Sequence, residues 1–222
     1  DLMRNAPISA QSQSTFLVGG QRLSPLLPWY TGKPDQQMEP ENLALQGIIE
    51  DLLPGRPFSL SLDCHSGFGR RDQIWFPYAY RRRPMRNISS VMALKLLWEQ
   101  AYPHHDYQFE PQSQHYLTHG DLWDYFYKRH NRQASAPWLP LTLEMGSWRW
   151  VRKRPRQLFS REGLFNPLVT HRHQRVLRSH MNLLDFMLNA SASYGNWLPN
   201  NSEDEWLRAA ARMHWYRKGE TL

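Results

Sequence analysis

The feature that most constrains this chain is the run Phe58-Ser59-Leu60-Ser61-Leu62-Asp63-Cys64-His65. Its apolar and polar residues alternate strictly, with period two, as a half-buried strand requires. Phe58, Leu60, Leu62 and Cys64 share one face, and Ser59, Ser61, Asp63 and His65 the other. The run stops at Ser66-Gly67-Phe68-Gly69. A shorter run, Leu141-Thr142-Leu143-Glu144-Met145, repeats the pattern and stops at Gly146. A further strand is expected at 73–76. Helical patterns separate these strands. One starts at Glu39-Pro40-Glu41, where Pro suits the first turn and acids suit the positive end of the dipole. Its apolar positions are Leu43, Leu45, Ile48, Ile49 and Leu52, and Pro54-Gly55 ends it. Others are expected over 91–102, capped by Ser89-Ser90, after Gly120, over 171–189 and over 205–217. The 171–189 helix has Val176, Leu177, Leu184, Phe186 and Leu188 as apolar positions, and the last is capped from 200–204. Strands alternating with helices argue an α/β layered fold. No repeat or linker divides the chain, so one domain over 1–222 is expected. Residues 6–36, rich in Pro, Gly, Ser and Gln, read as a long loop, and long loops are commonly functional.

Composition removes several classes. At 222 residues the chain buries enough surface to need no staple. Cys64 is the sole cysteine, so no internal disulfide forms, which favours a reducing compartment such as the cytoplasm. Mean hydropathy is −0.70, and no apolar run approaches a bilayer span. Ten Trp exclude a disordered chain. The net charge is +7, with a pI of about 9.7. Arginine gathers at 81–83, 149–156 and 172–178, beside Trp148, Trp150 and Phe159. Charge runs are ordinarily solvated faces. No recognised nucleic-acid motif accompanies them, so nucleic acid is not the expected partner.

His65 and Glu144 carry the sharper signal. Each ends a strand on its polar parity, and in open α/β sheets sites gather beyond the carboxyl ends of strands. A neutral imidazole there suits zinc, and a carboxylate beside it suits proton abstraction from water. A satisfied turn histidine and a structural carboxylate are the plain alternative. The pairs His115/His119 and His171/His173 and the cluster His104-His105-Asp106 are weaker ligand candidates.

The wording around these residues resembles the zinc metallocarboxypeptidase family. Ser61-Leu62-Asp63-Cys64-His65-Ser66-Gly67-Phe68-Gly69 is similar to its second zinc motif, a strand ending Asp-x-His-Ser. Leu141-Thr142-Leu143-Glu144 is similar to the strand carrying its catalytic glutamate. Asp1-Leu2-Met3-Arg4-Asn5 looks like the end of its Asp-x-Asn-Arg-Asn motif, and Glu39-Pro40-Glu41 like its Glu-Pro-Glu helix start. Tyr116, before Gly120 and Asp124, falls where the family places a substrate-closing Tyr. The resemblance covers residues 1 to about 190. It implies a three-layer α/β/α fold with a mixed, mostly parallel sheet. It implies a zinc-dependent metallocarboxypeptidase that cleaves a peptide or amide bond, with His65 as a zinc ligand and Glu144 as general base and then proton donor. Arg4 would bind a substrate carboxylate and Tyr116 would close over it. The family's His-x-x-Glu, which supplies two more zinc ligands, and its oxyanion-stabilising Arg are expected upstream of Asp1. None of the ten His here has Glu three residues on. Met3 stands where the family has Asn, which keeps open an N-acyl amino acid deacylase on the same scaffold. A catalytically silent peptide-binding module is the third reading.

Overall fold

The computed structural model describes residues 1–216 except 34, 68, 134–135, 160–165 and 167, and leaves the side chains of 149, 150 and 158 undescribed. Phe68 of the second motif, Arg149 and Trp150 of the basic run, and the end of the last expected helix at 217 therefore lie outside the description.

Four strands form one mixed sheet: β1 (Ser59–Gly67), β2 (Gln73–Phe76), β3 (Gln108–Pro111) and β4 (Trp138–Gly146), in the order β1-β4-β2-β3. β1 and β4 run parallel, as do β2 and β3, while β2 and β4 are antiparallel. The sheet is mixed and mostly parallel, as expected. β4 is longer than its alternating core and sits centrally. Leu139, Leu141 and Leu143 are fully buried on one face and Trp138 on the other. A strand covered on both faces has a nearly continuous apolar sequence, which is why its first residues carry no alternation signal.

The helices are α1 (Pro40–Leu52), α2 (Ile88–Ala101), α3 (Leu122–Gln133), the single turn α4 (Trp148–Val151), α5 (Thr170–Ala192) and α6 (Asn201–Trp215). α3 covers the face of the sheet that carries Ser61, Asp63 and Trp138. Its Trp123 and Tyr127 rings lie 6.2 Å from Trp138, and Trp123 Nε1 donates to Asp63 Oδ2 at 2.8 Å. The opposite face receives the end of α5 and the turn after it. There Tyr194 stacks on Phe58 at 5.8 Å, and Trp197 meets Phe58 edge-on at 5.4 Å. Helix, sheet and helix thus form three layers. Among the described residues no helix is long and apolar enough to cross a membrane.

Several local expectations change. α2 begins at Ile88 with Asn87 before it, and Ser89 lies inside the helix and donates to Asp204 of α6 instead of capping. α1 turns Asn42, Leu45 and Ile49 inward, and Asn42 Nδ2 donates to Leu2 O at 2.8 Å. Leu43, Ile48 and Leu52 stay exposed. α5 buries His180, Leu183, Phe186, Met187 and Ala190, a stripe spaced by three and four, while Leu177 and Leu188 face solvent. β3 is an additional strand. Its four residues carry no alternation of their own, and packing fixes them: Phe109 is buried and its carbonyl accepts from Trp215 Nε1 at 2.7 Å. Its Pro111 is tolerated because β3 lies at the sheet edge.

Candidate active site

The parallel register of β1 and β4 pairs His65 with Glu144. Both side chains therefore emerge from the same face at the carboxyl ends of neighbouring strands. His65 Nδ1 lies 3.2 Å from Glu144 Oε1, and His65 Nε2 lies 2.8 Å from Asp63 Oδ2. The His65 side chain is 27% exposed and that of Glu144 14%. Gly67 makes room for the carboxylate, since a Cβ there would stand 2.3 Å from Glu144 Oε2.

A carboxylate oxygen is an acceptor only. An imidazole facing carboxylates at both nitrogens satisfies both contacts as the doubly protonated cation. Burial alone would lower the His65 pKa. The hydrogen bonds to Asp63 and Glu144 and their two charges outweigh it and raise the value to about 10. Burial would likewise raise Asp63, but its bonds to His65 and Trp123 and the imidazolium charge hold it below the usual range. In the metal-free chain His65 is thus expected to stay charged through neutral pH, and NMR of its ring protons should show a midpoint near 10. A midpoint near the ordinary 6.5 would mean that the two contacts do not form. Because the folded pKa is raised, this stabilisation is complete below about 6.5 and is lost as pH rises through about 10.

Arg4 and Tyr116 line the same cleft, whose volume is about 1090 Å³. Arg4 ends the 3-10 turn Leu2–Arg4 and is buried. Its Nη1 donates to Asp121 Oδ2 at 3.4 Å and to Met3 O at 3.3 Å, while its Nε is buried with no hydrogen-bond partner among the described residues. Gly120 holds this segment in place. It adopts φ +70°, and a Cβ there would stand 1.8 Å from Arg4 O. Ala6 N donates to Gly120 O at 3.0 Å, and Gly120 N to Ile8 O at 2.7 Å. Tyr116 meets Trp75 edge-on at 6.2 Å. Burial pushes its phenol up, with the Arg4 charge opposing.

Four residues proposed from sequence therefore share one cleft, and sequence reasoning did not single out several of their partners. Asp63 could have been found from its i, i+2 relation to His65 on one strand face. Asp121, which anchors Arg4, stands next to Gly120 and has no signal of its own. Gln73 and His115 also line the cleft, and both meet Glu110. Gln73 Nε2 donates to Glu110 Oε1 at 2.7 Å, and His115 Nε2 lies 2.8 Å from the same oxygen. This engages His115, while His119 Nδ1 accepts from Ala10 N at 3.2 Å, in a stretch that is not helical. His105 Nδ1 accepts from Tyr107 N at 3.1 Å.

Among the described residues, no group of three or more His, Cys, Asp or Glu side chains is placed to hold a metal ion. As the doubly protonated cation that these contacts favour, His65 offers no lone pair until it loses a proton. The described residues do not by themselves fit zinc.

No protein-family model matches the chain, and no curated protein matches it. Among solved structures the chain is similar to the thrombin activatable fibrinolysis inhibitor (TAFI), at 21% identity and a TM-score of 0.45. The match covers 64% of this chain and 33% of that one, so the chain spans about a third of the length of that structure.

Proposed function

We propose that this cleft belongs to an amide-hydrolysing enzyme of the zinc metallocarboxypeptidase type, acting on a substrate that carries a free carboxylate. One observation carries the reading: Glu144 and His65 meet at adjacent strand ends inside a cleft that also holds Arg4 and Tyr116. Glu144 is the general base towards water and then the proton donor to the departing amine, a part that a poised carboxylate can play. Arg4 takes the substrate carboxylate. Its buried, unpaired Nε is a donor that such a group would satisfy, and a guanidinium can bind a carboxylate through two parallel bonds. Tyr116 packs over the bound substrate. Zinc is the cofactor of this reading, with His65 as one ligand once neutral. The remaining ligands are not supplied by the described residues, and no step is derived through the metal.

The clamp on His65 favours a second reading, a silent peptide-binding module, because an imidazolium held by two carboxylates is a stable structural unit. Assay of the protein in its longest natural form with zinc supplied, on peptides with free carboxyl termini and on N-acyl amino acids, separates these. Release of the terminal residue from the peptides is the expected result. Turnover of N-acyl amino acids alone would make it a deacylase. Saturable peptide binding without turnover of either set would make it a silent module.

A further inference from the structure

Beyond the end of β4 lies a second cleft, of about 790 Å³, which the proposed reaction does not use. Its walls carry Arg152 and Lys153, from the turn after α4, and Arg172 and Arg175, from the start of α5. Two carboxylates, Asp72 and Asp106, face them, so the permanent charges sum to 4 − 2 = +2. Asp72 is committed elsewhere as well: its Oδ1 accepts from Gly146 N at 2.9 Å. The side chains of Arg152, Lys153 and Arg175 make no hydrogen bond or ion pair with the described residues. Four cations against two carboxylates leave an excess of positive charge in one concavity, and a concave wall concentrates its field.

The position of two of them adds an independent argument. Arg172 and Arg175 stand in the first two turns of a helix of 23 residues. Cations at that end oppose the helix dipole. The helix brings no acidic residue in its first turn and no side-chain cap to offset this. A bound anion would remove both costs. Guanidinium groups match phosphate oxygens in pairs, and the cleft is the size of a small-molecule site. Among the described residues no Phe, Tyr or Trp lines it, so that described wall offers no stacking surface of the kind single-stranded nucleic acid uses. We propose that this second cleft binds a small polyphosphate-bearing ligand.

The test is calorimetric titration of the intact chain with inorganic tripolyphosphate. One-to-one saturable binding is expected, weakening steeply as salt is raised. Arg175→Ala and Lys153→Ala should each weaken it by about tenfold or more, as loss of a charge-assisted bond implies. Both residues are exposed and their removal relieves repulsion, so thermal denaturation should not fall to lower temperature. Arg56→Ala, an exposed residue outside this cleft, should leave binding intact. Absence of binding would overturn the proposal, as would equal weakening by Arg56→Ala. Oligoglutamate bound as tightly as tripolyphosphate, or duplex DNA bound where tripolyphosphate is not, would also overturn it.

Discussion

Glu144→Gln is expected to lower kcat on the substrate class that the chain turns over by about 10²–10⁴, the range for loss of a positioned general base. The amide keeps the size of the side chain and its hydrogen-bonding reach towards His65, so KM should change little and the fold should hold. An unchanged kcat would remove Glu144 from the chemistry. The same variant has a readout that needs no activity. His65 is held near 10 by two carboxylates, and Gln keeps an acceptor at this position but removes one of the two negative charges. Its titration midpoint should therefore move down from about 10 towards the ordinary 6.5. If kcat falls while the His65 midpoint stays near 10, Glu144 acts in the reaction without the contact described.

The two strands that carry the site were legible because their physics is local. Alternation over 58–65 and 141–145 follows from one buried face, and the parity that placed His65 and Glu144 on the polar side also determined that they would meet once the strands paired in register. What the sequence did not disclose depends on distant partners. β3 has no pattern of its own and exists through Phe109 and Trp215. Asn42 replaces a leucine in the inward stripe of α1 because the Leu2 carbonyl waits there for a donor. Ser89 looks like a cap but pairs with Asp204, 115 residues away. The surroundings of His65 show the same limit. A histidine at a strand end reads as a candidate ligand, while its contacts with Asp63 and Glu144 at both nitrogens come from the assembled geometry. Asp124 was similarly noted for its place after Gly120, although its role is structural.

That role supports the second large effect. Asp124 Oδ2 accepts from Ala79 N at 2.7 Å and from Tyr80 N at 2.8 Å, and the residue is 1% exposed. Asp124→Ala would strand two buried donors. Each unsatisfied group costs about 1–3 kcal/mol, so a loss of roughly 2–5 kcal/mol is expected. In a chain of this size that lowers Tm by roughly 5–15 °C. Asp124→Asn separates the hydrogen bonds from the charge. The amide oxygen can accept both bonds, and burial together with the charge of Asp121 already holds Asp124 well above the usual carboxylate range. Asn should therefore keep most of the stability that Ala loses. The sign of the pH dependence provides a further check. A folded pKa raised above the unfolded value means that the folded chain binds the extra proton, so this group's contribution weakens as pH rises from about 4. Asp124→Asn should flatten that part of the stability curve, read by urea denaturation across the acid range. An Asn variant as unstable as Ala would show that the negative charge of Asp124, and not its acceptor oxygen, holds the 79–80 backbone against α3.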